Sequence, residues 1–165
     1  SLEVNHVPGR SVGCTGEPHC NFSVTETKQR LGRLIEYLEE RFGAAISQLG
    51  LQLDGCPHAC AQHWIADLGF QGTTARDADG KRVQAYDIFV RGGLAPDAQI
   101  GKALFRRVPS EELDAAVAGL IQGWLDGRSG EDETFPAFAR RQSDEELGLA
   151  AGLEPVKGRV REEAE

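Results

Sequence analysis

The chain has 165 residues, 40% of them hydrophobic, so a single domain can bury a sizeable core without disulfide staples. Its formal net charge is −8 and its pI about 5.1, which argues against a general nucleic-acid-binding surface. The sequence shows no apolar run long enough for a membrane span or a secretory h-region, no internal repeat and no low-complexity block.

In chain order, the first feature is a cysteine pair, Cys14-Thr-Gly-Glu-Pro-His-Cys20. Ser23-x-x-Glu26 is a capping-box pattern that predicts a helix start. Leu31, Leu34, Ile35, Leu38 and Phe42 follow at helical spacing, and Gly43 is a natural stop. Cys20 is thereby expected just ahead of an amphipathic helix, at its positive end, which favours a thiolate. Leu49, Leu51 and Leu53 alternate as in a short strand that runs into the second pair, Asp54-Gly-Cys56-Pro-His-Ala-Cys60. Pro57 suits the first turn of a short helix carrying Cys60. Ile65 to Gln71 reads as a strand, Arg76 to Lys81 as a turn with Gly80 at positive φ, and Val83 to Val90 as the antiparallel partner.

Arg91-Gly-Gly-Leu-Ala-Pro96 is a glycine turn followed by loop. Leu104, Arg106 and Val108 allow a short strand before Pro109. Ser110, with Glu111 and Glu112, predicts the start of a second helix whose stripe is Leu113, Val117, Leu120, Ile121 and Trp124, ended by Gly127. Thr134 opens a third helix with Phe135 and Phe138, and Ser143-x-x-Glu146 repeats the capping box for a short terminal turn. Beyond Gly152 little remains to bury, so residues 153–165 are expected to form a charged, disordered tail. The order of elements predicts one α/β (α+β) domain over residues 1–152, a mixed sheet flanked by helices.

The chemistry concentrates in the four cysteines, the only ones in the chain. Four thiols in two short loops are the ligand count of a cubane iron–sulfur cluster. Gly13, Gly16, Pro18, Gly55 and Pro57 suit backbone that wraps closely around a ligand. Two disulfides would fit a small secreted protein better than a chain of this size. Structural zinc is the stronger rival: the gap between Cys56 and Cys60 falls within zinc-ligand spacing, and that between Cys14 and Cys20 does not. His19, His58 and His63 lie beside these loops, where a loop histidine is more often solvent-facing than a ligand.

The two segments resemble the cluster-binding signature of the sirohaem-dependent nitrite and sulfite reductases. The likeness includes Thr15-Gly16, Glu26-Thr27-Lys28, Gly55-Cys56-Pro57 and Ala66-Asp-Leu-Gly-Phe-Gln-Gly72, and covers most of residues 12–72. A weaker likeness runs on to about Leu149. Many relatives carry Asn where this chain has His58. The resemblance implies the 4Fe-4S/sirohaem half-domain of the nitrite/sulfite reductase fold. It implies that Cys14, Cys20, Cys56 and Cys60 hold one 4Fe-4S cluster and that Cys60 bridges to the sirohaem iron as its axial thiolate. It also implies a six-electron reduction of a small anion, nitrite to ammonia or sulfite to sulfide. The wording around Cys14 and Glu26 leans to the nitrite type, with ferredoxin as electron donor.

An acidic chain is a poor host for an anionic substrate and a polycarboxylate cofactor unless basic side chains line the pocket. In the family these come largely from upstream sequence. Arg10, just before Cys14, is the nearest candidate here, and a solvated role suits it better. The expectation is therefore a C-terminal cluster-binding part that works with the remaining N-terminal part of the reductase and does not turn over substrate alone. The other class open at this point is a stand-alone iron–sulfur or zinc module. A reducing cytoplasm, or plastid stroma in a photosynthetic eukaryote, fits the free-thiol chemistry. Neither a nucleic acid nor a membrane is expected as partner.

Overall fold

The two cysteine loops grow from neighbouring strands of a five-stranded mixed sheet in the order β1-β2-β3-β4-β5. The computed structural model describes residues 6–94 and 98–157. The strands are β1 (Val12–Gly13), β2 (Leu51–Asp54), β3 (Leu68–Arg76), β4 (Arg82–Val90) and β5 (Lys102–Pro109). The first two pairings are parallel, with Val12 opposite Gln52 and Leu53 opposite Phe70. The β3–β4 hairpin is antiparallel, turning through Gly80 at φ +79°, and β5 pairs antiparallel to β4. The helices are α1 (Val7–Arg10), α2 (Lys28–Phe42), α3 (Leu113–Gly127), α4 (Phe135–Arg141) and α5 (Asp144–Ala151). The architecture is the mixed sheet flanked by helices that the order of elements predicts. None of these helices is long and apolar enough to cross a membrane among the described residues.

The core is continuous. Leu31, Leu34, Ile35 and Leu38 of α2 and Val117, Leu120, Ile121 and Trp124 of α3 join Leu51, Leu53, Phe70, Tyr86, Ile88 and Phe105 from the sheet. Burying each such side chain stabilises the fold by about 1.5–3 kcal/mol. Alternation along β2 sends Leu51 and Leu53 into this core, while Gln52 and Asp54 take the other face of the sheet.

Two helix starts differ from expectation. Helix α2 begins at Lys28, several residues after Ser23. The Ser23 hydroxyl donates to the Thr25 carbonyl, and the Glu26 N–H donates to the Gln84 side chain, so the backbone is held out of helical geometry until Thr27. The Glu26 carboxylate then accepts the N–H groups of Gln29 (3.0 Å) and Arg30 (2.6 Å) and does the capping from outside the helix. Helix α3 begins at Leu113 because Ser110 is engaged elsewhere: its hydroxyl accepts Arg30 Nε at 2.9 Å and its carbonyl accepts Arg30 Nη2. Arg30 is buried and also meets Asp114 at 2.7 Å, tying α2 to α3. Beyond these, Ser143 and Glu146 form the predicted capping box, and what was expected as a short turn is the eight-residue α5.

The C-terminal stretch stays attached past Gly152, contrary to the expected start of a disordered tail. Leu153 packs on the core and the Val156 N–H donates to the Leu104 carbonyl at 2.8 Å. Residues 158–165 lie outside the described residues.

Two arginines fasten the C-terminal helices. Arg91, at the end of β4 with φ +66°, donates to the carbonyls of Ala139 and Gln142 and pairs with Asp144. It thus satisfies the open end of α4 and the acidic start of α5 together. Arg91→Ala should lower stability by about 2 kcal/mol, read as a shift of the urea midpoint with little change in slope. Glu133 is held down to about 2, first by its hydrogen bond from Arg141. A carboxylate lowered on folding stabilises above its ordinary value of 4.5 and loses that contribution as pH falls toward 2. Arg141→Gln should therefore reduce stability at neutral pH and flatten the acid-side fall between pH 4.5 and 2, as measured by melting temperature against pH.

Candidate functional site

Parallel neighbours in a sheet end at the same edge, and ligands gather beyond the carboxyl ends of such strands. Cys14 follows β1 and Cys56 follows β2 at that edge. The ladder extends one step into the first loop, where the Cys14 N–H donates to the Leu53 carbonyl at 3.0 Å. The loops are then stitched together. The Gly55 N–H donates to Cys14 Sγ at 3.2 Å, and the Val24 N–H donates to the Gly55 carbonyl at 2.9 Å. Within the first loop the Cys20 N–H donates to the Gly16 carbonyl, and Thr27 Oγ1 donates to the Cys14 carbonyl at 2.7 Å. The start of α2 thus abuts Cys14, whereas Cys20 lies eight residues ahead of it and not at the predicted helix terminus.

Three glycines of the matched segments are required by close approach. A Cβ on Gly16, at φ +69°, would land on the Thr27 side chain. One on Gly55 would land on the Ser23 hydroxyl, and one on Gly72 would strike the Gly55 carbonyl at 2.6 Å. The strand β3 therefore presses directly on the second cysteine loop. Gly92 serves in the same way, since a Cβ there would meet the Ala66 and Trp64 carbonyls. Packing against that turn accounts for this glycine of the Arg91–Pro96 loop, of which Ala95 and Pro96 lie outside the described residues.

All four cysteines are free thiols, so neither pair forms a disulfide. Cys56 is buried, Cys14 and Cys20 are half-buried, and Cys60 is exposed. The expected short helix carrying Cys60 is absent. Residues 55–62 form turns, with Ala59 at φ 54° and Gln62 at φ 62°, and the next helical piece is the 3-10 turn His63–Ile65. Left-handed backbone at a residue with a side chain costs roughly 1–2 kcal/mol, and here two such residues bracket Cys60. The Cys60 thiol is pushed above its ordinary range, first by burial and then by the Asp54 carboxylate and the thiols of Cys14, Cys56 and Cys20. Since the residue is exposed at the surface, the charged neighbours are the more informative part: the Asp54 carboxylate and the other three sulfurs act on Cys60.

Among the described residues, no group of three or more His, Cys, Asp or Glu side chains is arranged to hold a metal ion. A zinc tetrahedron needs its ligands about 2.3 Å from one centre. A cubane takes one thiolate on each iron, and two loops side by side at one edge that carry four soft thiols, with a backbone N–H already on Cys14 Sγ, supply the donor chemistry of that larger group. His58 is exposed, yet its Nδ1 lies 3.3 Å from Cys56 Sγ, and its ring meets Phe22 at 5.1 Å between centroids. His19 is exposed. His63, expected as a loop residue, is fully buried against Asp54. Sequence reasoning missed Asp54 as a site residue, although it directly precedes Gly55-Cys56-Pro57.

Arg10 does not face the cysteines. It lines a cleft of about 840 Å³ with Gly50, Asp67 and Gly93, where β2 and β3 begin, at the sheet edge opposite the thiols. Burial raises Asp67 there, opposed by the Gly50 N–H and by Arg10 and Arg140.

No protein-family model matches the chain. It is 34% identical over 142 residues to a ferredoxin sulfite reductase of Mycolicibacterium paratuberculosis, a match covering 83% of the chain and 25% of that protein. It is 35% identical over 136 residues to the chloroplastic ferredoxin–nitrite reductase of Zea mays, covering 82% and 22%. An assimilatory ferredoxin-dependent nitrite reductase of Haloferax mediterranei is 30% identical over 157 residues, covering 94% and 26%. Among solved structures, the NirA protein of Mycobacterium tuberculosis superposes with a TM-score of 0.77 at 30% identity, over 87% of the chain and 27% of that protein. Dissimilatory sulfite reductase I shares the fold, with a TM-score of 0.63 at 13% identity over 94% of the chain and 55% of that protein. The chain thus spans about a quarter of the length of the curated relatives it matches. On these matches and this fold, the chain belongs to the nitrite and sulfite reductase family.

Proposed function

We propose that this chain is the 4Fe-4S- and sirohaem-bearing portion of an assimilatory nitrite reductase that takes nitrite to ammonia. Cys14, Cys20, Cys56 and Cys60 would hold the cluster, and Cys60 would also offer its thiolate to the sirohaem. The observation that supports this reading is that the two cysteine loops leave adjacent parallel strands at one sheet edge, joined by the Gly55 N–H on Cys14 Sγ, with all four cysteines free and Cys60 exposed.

When bound, the cluster and sirohaem supply the single-electron chemistry of a six-electron reduction, which no side chain can perform. The chain's own residues do the holding and tuning. Cys14 and Cys56 are fixed by the β1–β2 pairing, and Cys20 by its bond to Gly16. The Gly55 N–H stabilises charge on Cys14, and His58 stands beside Cys56; such contacts to sulfur set a cluster's potential. Ferredoxin is the natural donor, as the relatives' names suggest, in a cytoplasm or plastid stroma. The sulfite-to-sulfide reaction is the second reading, favoured by sulfite reductases at 34% identity beside nitrite reductases at 35%. The side chains that distinguish the anions belong to the remaining N-terminal part of the reductase, the partner this reading requires.

Anaerobic reconstitution with iron and sulfide should give a broad visible band that bleaches on reduction, with about four irons per chain. Serine at Cys14, Cys20 or Cys56 should cut the iron content to less than about half. A colourless protein carrying stoichiometric zinc would sink the assignment. The isolated chain, given sirohaem and a reductant, should turn over neither nitrite nor sulfite; measurable turnover in an ammonia or sulfide assay would show that its own residues bind the anion.

A further inference from the structure

The turn that carries Cys60 is held from beneath by a buried acid–imidazole pair. Asp54 is 1% exposed and His63 is 0% exposed. The Asp54 carboxylate accepts the Ala61 N–H at 2.7 Å through Oδ1. Through Oδ2 it accepts the His63 N–H at 3.3 Å and lies 2.8 Å from His63 Nδ1, which is the donor against a carboxylate. One carboxylate therefore closes the segment from the end of β2 to the 3-10 turn, gripping the residue after Cys60 and the residue after the left-handed Gln62. The imidazole is fixed in turn. Its ring lies 4.6 Å from Phe89 and 5.2 Å from Trp64 between centroids, and the His63 backbone carbonyl occupies the space a side chain at Gly69 would take. Its Nε2 is buried with no hydrogen-bond partner among the described residues, so the ring's one polar commitment is to Asp54.

Left-handed, non-glycine backbone persists only where its surroundings over-determine it. Ala59 and Gln62 on either side of Cys60 are such residues, and the Asp54 grip is the buried contact that fixes the chain between and beyond them. We propose that Asp54 and His63 are positioning residues for Cys60: they hold the strained turn so that this thiol alone stands exposed at the sheet edge. The purpose of this clamp rests on the cluster reading above, while its geometry does not.

The test uses the whole chain with Asp54→Asn and His63→Gln. The first places an amide donor against N–H groups, and the second keeps a donor for Asp54 but removes the ring packing. In the apo chain, Asp54→Asn should raise amide hydrogen exchange across residues 56–63 by about tenfold or more, with the amides of α2 and α3 unchanged, and His63→Gln should do so less. In the reconstituted chain, Asp54→Asn should lose iron to a chelator about tenfold faster and alter the EPR line shape of the reduced cluster. Arg91→Ala, which loosens the fold elsewhere, should leave both signatures as in the unmodified chain. Unchanged exchange across 56–63, or iron retention and EPR equal to the unmodified chain in both variants, would overturn the clamp. Should Asp54→Asn not fold, His63→Gln decides by the same two readouts. If the unmodified chain takes up no iron, the cluster assignment fails, and the exchange measurement still decides the clamp.

Discussion

Everything at this site depends on two residues of parallel pairing. β1 is only Val12–Gly13, yet its alignment with Gln52–Leu53 brings the chain end that carries Cys14 beside the chain end that carries Cys56. An antiparallel pairing would have sent the two loops to opposite edges of the sheet. The helix α2 makes the parallel return possible, because it carries the chain back across the core between the two strands. Its apolar stripe on Leu51 and Leu53 is thus also what places the thiols.

From that pairing the rest of the edge follows by contact. The Gly55 N–H reaches the Cys14 sulfur because both loops leave adjacent strands at the same level. Glycines 55 and 72 let β3 and the first loop close on the second without intervening side chains. Gln84 and Tyr86 of β4 fasten the same loop from the far side: Gln84 accepts the Glu26 N–H, and the Tyr86 hydroxyl donates to the Glu26 carbonyl at 2.7 Å. That hydroxyl is pushed up to about 12, chiefly by burial, and so remains a donor across the working pH range. Strands on both sides therefore hold the loops.

The acid–imidazole pair beneath Cys60 extends the same logic. A loop that must present one thiol outward, while its neighbours stay covered, needs backbone that turns against its preference. Asp54 supplies that constraint from the last position of β2, so the strand that places Cys56 also restrains Cys60. The cleft at the opposite edge, with Arg10 and Asp67, shares none of these contacts.

The sequence by itself determined the elements whose signals are local. Hydrophobic spacing located α2, α3 and the pairing of the two hairpin strands, although β3 runs over Leu68–Arg76 where Ile65 to Gln71 was expected; Gly43 and Gly127 marked helix ends, and the Ser143 box started α5. The cysteine pairs and their glycines were legible because close backbone approach leaves few residue choices. Local reasoning misplaced Ser23 and Ser110, since each hydroxyl is claimed by a partner that a capping pattern does not reveal: the Thr25 carbonyl for Ser23, and the distant Arg30 for Ser110. It also expected a helix at Cys60, where a carboxylate outside the turn dictates left-handed backbone instead. Only the tertiary structure decided that the two cysteine loops share an edge, that His63 is buried while His58 meets a sulfur, and that Cys60 alone is exposed. These are consequences of strand direction and long-range hydrogen bonding, which join residues that spacing along the chain cannot relate.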